Sequence, residues 1–162
     1  TAPASVRSVG EAVMAADRLL ETAKAQADAQ VSERNAREKA ELMRQLGMDE
    51  GENATKASRT MIRQLEEDQK RRSKRALTDA IDRALIDLLA IYRDVLMVQV
   101  GGDGELINTD LADLVHEIAQ DSTPRQTLAR VDHIETARKR LVSNGNPLLV
   151  LEDMAISLRP QA

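Results

Sequence analysis

From about Ala54 to Val100 apolar residues recur at three- and four-residue spacing without a stop signal. A chain holding such a segment is committed to helix-on-helix packing. The first half of the stripe is sparse, with Met61, Ile62 and Leu65. From Leu77 it becomes dense, through Ile81, Ala84, Leu85, Leu88, Ile91, Tyr92, Val95 and Leu96. At ~1.5 Å per residue a helix of that length approaches ~70 Å, more than twice the span of a small domain. It must protrude, kink or pair with a second long helix. Ile81, Leu85, Leu88 and Tyr92 form one apolar stripe, and Ala84, Ile91, Val95 and Val98 lie to its side. A helix apolar on two sides is either central or shared with a neighbouring subunit.

Composition supports an all-α fold. Hydrophobic residues are 42 % of the 162-residue chain, yet Tyr92 is the sole aromatic. The core must be built from Leu, Ile, Val, Ala and Met, which suit closely packed helices. Strand-rich folds draw on aromatic and β-branched residues. Charged residues make up 31 % with a net charge of −4, a solvated surface without a global call for nucleic acid or anionic lipid. Cysteine is absent, which excludes disulfides and thiolate metal sites and fits a cytoplasmic setting. No apolar run reaches the length of a membrane span, and no signal peptide is evident. The chain opens on Thr1 rather than Met, which fits either a processed product or a piece of a longer protein.

A first helix is expected from Ser8, where Ser8 and Glu11 have capping-box spacing. Val9, Val13, Ala16, Leu19, Leu20 and Ala23 give it one apolar face, which thins to Ala27, Val31, Ala40, Met43 and Leu46. Gly47 to about Thr55 is a polar break. The simplest arrangement is an antiparallel hairpin of the two long helices with its polar tip in solvent. Gly101-Gly102-Asp103-Gly104 stops the second helix. Asn108 is expected to cap a third, bearing Leu111, Leu114, Val115 and Ile118. Thr123-Pro124-Arg125-Gln126 opens a fourth, with a buried stripe of Leu128, Val131, Ile134, Ala137, the Arg138 stem and Leu141. Asn144-Gly145 ends it, and Asn146-Pro147 starts a fifth with Leu148, Leu151, Met154, Ala155 and Leu158.

Little in the sequence suggests bond-making chemistry. None of the seven glycines sits in a phosphate-binding or dinucleotide-binding motif. His116 and His133 fall on different predicted helices, and structural or surface roles fit them better than metal ligation beside Glu117 or Asp132. Asp79, Asp82, Asp87 and Asp94 recur along the second helix, and paired carboxylates can do acid–base work when burial separates their pKa values. Arg83 and Arg93 interrupt the series, so a solvated, ion-paired face is the preferred reading. Asn53-Ala54-Thr55 matches a glycosylation acceptor and is read as chance. The run Lys70-Arg71-Arg72-Ser73-Lys74-Arg75 has two readings. Lys70, Arg71, Arg72, Lys74 and Arg75 could touch DNA phosphates or a partner. Alternatively Glu66, Glu67 and Asp68, four residues earlier, could pair with them along a solvated helix face. Without interleaved aromatics to stack on bases, the second is preferred.

Several segments in order carry a family likeness: Leu88 to Val100 with Tyr92-Arg93-Asp94-Val95-Leu96 at its centre, the Gly101-Gly102 break, Ile107-Asn108-Thr109-Asp110-Leu111, and Ala137-Arg138 through Leu141 and Asn144-Gly145-Asn146-Pro147 to Leu151-Glu152. Together they resemble the C-terminal collar domain of bacterial clamp-loader subunits, the delta-prime type of DNA polymerase III in particular. The likeness covers Ala76–Leu158, with weaker agreement over Ser8–Ala23. It implies a non-catalytic assembly domain, without cofactor, metal or small-molecule substrate of its own. Such a domain holds delta-prime beside the gamma/tau and delta subunits in a five-membered ring that loads the sliding clamp onto primed DNA. An ATPase-type module and a helical lid precede it in the family. The polar segment Lys24–Arg75 departs from the family by its length, a feature of the high-GC Gram-positive type, and is read as a helical hairpin extension of a single domain.

The expected fold is thus all-α, with about five helices, an extended N-terminal hairpin and a compact C-terminal bundle. Leu85, Leu88, Tyr92, Leu96, Leu141, Leu148 and Leu151 are the candidates for core or subunit interface. Alternatives are a gamma/tau-type collar, an unrelated coiled-coil adaptor, and, weakest, a metal-dependent enzyme using the Asp series.

Overall fold

The structure, a computed structural model, describes residues 9–47 and 55–160. Among these residues there are five α-helices, α1 (Val9–Gln45), α2 (Lys56–Gln99), α3 (Ala112–Asp121), α4 (Pro124–Val142) and α5 (Pro147–Ser157), with a 3-10 turn at Thr109–Leu111 and no strand. The expected all-α class is observed. The proposed cap Ser8, the Asn53-Ala54 part of the glycosylation match and Gly51 lie outside the described residues. The helices divide between two compact units, Ala23–Ala80 and a second made of Thr1–Thr22 with Ile81–Ala162.

Unit Ala23–Ala80 is a helix pair with a thin apolar seam of Ala27, Val31 and Ala76, with Leu77 packed against it. Polar groups continue the seam. Asn35 faces Ser73 at 3.4 Å, and Gln69 donates to the Asn35 carbonyl at 2.8 Å. Arg72 binds both Glu38 oxygens at 2.9 and 3.0 Å, and Lys39 pairs with Glu66 at 2.8 Å. Partners on α2 fall in number as those on α1 rise, which is antiparallel pairing. The expected ion pairs four residues apart along α2 do not form. Glu66 and Arg72 turn across to α1, and Asp68 takes Arg71 one turn on. For Glu66 and Arg72 the opposite charges on the neighbouring helix outcompete those within α2. Ala40 is exposed, and Met61 is 49 % exposed, so neither extends the seam.

The other unit has the thicker interior. Ala12, Ala16 and Leu20 of α1 are buried, as are Ile81, Leu85, Leu88, Tyr92 and Val95 of α2. Val9, expected in the same stripe, is 49 % exposed because burial begins one turn later at Ala12. α2 ends as its sequence dictates. Gly101 adopts φ +71°, its N–H reaches the Val98 carbonyl at 3.2 Å, and the Gly102 N–H reaches Met97 at 3.0 Å. These bonds occupy carbonyls that the helix end leaves without partners.

α4 opens with the expected capping box. Thr123 Oγ1 accepts from the Gln126 N–H at 3.2 Å, and Gln126 Oε1 accepts from the Thr123 N–H at 2.9 Å. The inward stripe, however, is Thr127, Arg130, Ile134, Ala137 and Leu141, while Leu128 is 51 % exposed. Two polar side chains occupy interior positions because each finds a partner. The Thr127 hydroxyl donates to Gln99 Oε1 at 2.7 Å, and the Arg130 guanidinium lies 5.9 Å from the centre of the Tyr92 ring. Burial pushes the Tyr92 phenol up, against the opposing charge of Arg130.

The α4–α5 turn is a second left-handed cap. Asn144 takes φ +64°, its N–H bonds Leu141 at 3.2 Å, and the Gly145 N–H bonds Arg140 at 2.8 Å. Asparagine is the commonest substitute for glycine at this position. A Cβ on Gly145 would stand 2.8 Å from the Arg140 carbonyl oxygen, so a side chain is excluded there by backbone. Asn146 Oδ1 then accepts from the Leu149 N–H at 3.2 Å, with Pro147 at the first helical position. α5 packs on α4 and buries Val150, Leu151, Met154 and Ala155.

Candidate assembly surface

Three polar connections link the elements of the larger unit. The first is centred on Asp94, whose side chain is fully buried. Its Oδ1 accepts from the Ile107 N–H at 2.9 Å. Its Oδ2 accepts from the Asn108 N–H at 2.8 Å and from Asn108 Nδ2 at 3.1 Å. Arg93 approaches at 3.4 Å. Burial alone would raise this carboxyl, but the N–H groups of Ile107 and Asn108 and the Asn108 amide outweigh it, with help from Arg93, and hold it below the usual aspartate range.

This corrects two expectations. Asp94 does not belong to a solvated face; of the four aspartates expected there, Asp79 and Asp87 are exposed and Asp82 is half-buried in an ion pair. Nor does Asn108 use its side chain to cap the following helix. A buried carboxylate needs several donors, and Asn108 supplies two of them.

The second connection is Gln99, in the last turn of α2. Its Nε2 donates to the Ser122 carbonyl at 2.9 Å and to Ser122 Oγ at 3.1 Å, while its Oε1 accepts from Thr127. It therefore ties the end of α2 to the α3–α4 junction. The third is Arg138, whose Nε reaches Asp82 Oδ1 at 2.8 Å and whose Nη2 reaches Oδ2 at 3.3 Å. Asp82 first, then Glu135, raises the Arg138 pKa further. Taken with the Arg130–Tyr92 contact, these links show α4 running antiparallel to α2.

Of the residues singled out from the sequence, Leu85, Leu88, Tyr92, Leu141 and Leu151 are in the interior, and Leu96 and Leu148 are half-buried. His116 and His133 are both exposed. Among the described residues no group of three or more His, Cys, Asp or Glu could hold a metal ion. No described helix is long and apolar enough to cross a membrane. Large apolar side chains do reach solvent. Val142 at 78 % and Leu149 at 63 % flank the α4–α5 turn, and Val100 at 65 % and Ile107 at 57 % flank the loop after α2. Sequence reasoning missed both pairs, because each lies within or beside a stretch that reads as core or turn. It missed Gln99, Thr127 and Arg130 too, because polar residues on an apolar stripe give no pairing signal until the partner helix is in place.

Polar ties at the helix junctions and exposed apolar side chains beside two turns are the features of an all-α scaffold, and among the described residues none forms a metal cluster. A family model described as DNA polymerase III, delta subunit, C terminal, matches residues 52–159, and the chain belongs to that family. It is also 36 % identical over 72 residues to the DNA polymerase III subunit delta' of Bacillus subtilis (strain 168), an alignment covering 44 % of this chain and 22 % of that protein. The chain thus spans less than a quarter of the curated relative it matches. No solved structure matches.

Proposed function

We propose that this chain is the assembly domain of a delta-prime-type subunit in the DNA polymerase III clamp loader. On this reading it performs no catalysis itself. It holds its subunit beside gamma/tau and delta in the cytoplasmic five-membered ring that places the sliding clamp on primed DNA. The family match carries the proposal, because residues 52–159 run from α2 through α5 and include all three polar connections. The relative's name favours delta-prime over gamma/tau.

Val142 and Leu149 are the proposed contact residues, since both leave most of their apolar surface in water beside one turn and covering it is favourable. The test is to mix the chain with gamma/tau and delta and measure complex mass by light scattering after size exclusion. A defined heteromeric complex is expected, lost in the double variant Val142→Asp/Leu149→Asp while its helical circular dichroism is retained. A chain that stays alone at high concentration would move the adaptor reading ahead. Unchanged assembly by the double variant would place the interface elsewhere.

A further inference from the structure

The segment of α2 from Lys56 to Arg75 carries eight basic and three acidic residues in a chain whose net charge is −4. Some of these charges are spent within the helix pair: Arg72 on Glu38, Arg71 on Asp68, and Glu66 on Lys39. Lys56, Arg59, Arg63, Lys70 and Lys74 are different. All five are exposed, and none has an ion pair among the described residues; Arg75 is exposed and unpaired as well but lies about 100° round the helix from Lys74. Their spacing of three, four, seven and four places them within about 60° on one side of a 3.6-residue helix. The face packed on α1, with Ile62, Leu65, Gln69, Arg72 and Ala76, lies about a third of a turn away. The five cations form two clusters, one of Lys56, Arg59 and Arg63 and one of Lys70 and Lys74, on one line about 27 Å long at ~1.5 Å rise per residue, with Glu67 between them.

Five exposed cations on one side of the helix, offset by one carboxylate, leave a local excess of positive charge that an extended anion would neutralise. We propose that this stripe binds the phosphate backbone of duplex DNA, without sequence preference. A stripe of ~27 Å parallels about 8 base pairs at ~3.4 Å each. The chain's one aromatic, Tyr92, is buried outside this unit, so the surface offers no stacking platform for single-stranded bases. Lysine and arginine point charges on one straight helix match a continuous polyanion. The choice of duplex DNA over an acidic protein rests on the replication reading above.

The experiment is fluorescence anisotropy of a labelled 30-base-pair duplex of mixed sequence, titrated with this 162-residue chain between 50 and 200 mM KCl. Binding is expected to weaken steeply with salt. The variant Arg63→Gln/Lys70→Gln/Lys74→Gln removes three cations and none of the ties between α1 and α2. It is expected to lose at least about tenfold in affinity at 50 mM and to lower the log–log salt slope by about 2.7, at ~0.9 per phosphate contact. A charge-matched control, Arg83→Gln/Arg125→Gln/Lys139→Gln, is expected to bind as the parent does. Absence of salt-dependent binding, equal losses in both triple variants, or stronger binding of poly-glutamate than of duplex at matched charge would each overturn the proposal. No partner subunit takes part in the assay. Normal assembly with no DNA binding therefore refutes the stripe alone, and DNA binding without assembly refutes the clamp-loader reading alone.

Discussion

Replacing Asp94 by alanine removes the acceptor for two backbone N–H groups and one amide at once. A buried donor left without a partner costs ~1–3 kcal/mol. Two backbone donors therefore set a range of about 2–6 kcal/mol. Ile107 is 57 % exposed, so the loop can move and recover part of the lost bonding from water. The expected destabilisation is about 2–4 kcal/mol. Asp94→Asn keeps the shape but sets an NH2 against donors, and its cost should approach that of alanine. Because the chain has two compact units, global unfolding is a poor readout, and native-state hydrogen exchange at Ile107 and Asn108 is the direct one. Both amides should lose protection in either variant. The pH dependence adds a second test. The native carboxyl titrates below the ordinary value near 4, so the unfolded chain binds its proton first as pH falls. The stabilisation from Asp94 is complete above about pH 5 and is lost as pH drops through the depressed native value. The stability gap between the parent and Asp94→Asn should be flat from about pH 5 upward and shrink below about pH 4. A cost under ~0.5 kcal/mol, or a gap that does not change with acid, would refute the argument that this carboxylate anchors the loop.

Two further outcomes follow from the same geometry. Gly145→Ala should cost about 1–3 kcal/mol in native-state hydrogen exchange of α4 and α5 amides, since its Cβ would meet the Arg140 backbone carbonyl rather than a movable side chain. A neutral effect would show that the turn relaxes freely. Arg138→Gln should cost no more than about 1 kcal/mol despite its good geometry, because both Arg138 and Asp82 remain about a third exposed. A larger loss of hydrogen-exchange protection in α4 would assign the pair a role in holding α4 on α2.

Sequence by itself determined the helices, their ends and the larger part of the apolar faces. Those are local properties: Thr123-Pro124 and Asn146-Pro147 start α4 and α5, Gly101 and Asn144-Gly145 stop α2 and α4, and Leu85, Leu88, Tyr92 and Leu151 follow a 3.6-residue period into the interior. What tertiary structure decided was the fate of the polar groups. Asp94 lies on the side of α2 away from its main apolar stripe and belongs to an aspartate series that reads as solvated. It is buried only because the chain returns thirteen residues later to lay two N–H groups on it. Arg72 and Glu66 have partners available within their own helix and take others across the pair. Thr127 and Arg130 enter the interior at the expense of Leu128, because Gln99 and Tyr92 wait there for them. Apolar burial depends on periodicity, which a single helix carries. A polar group's place depends on which partner arrives, and that is a property of the assembled helices.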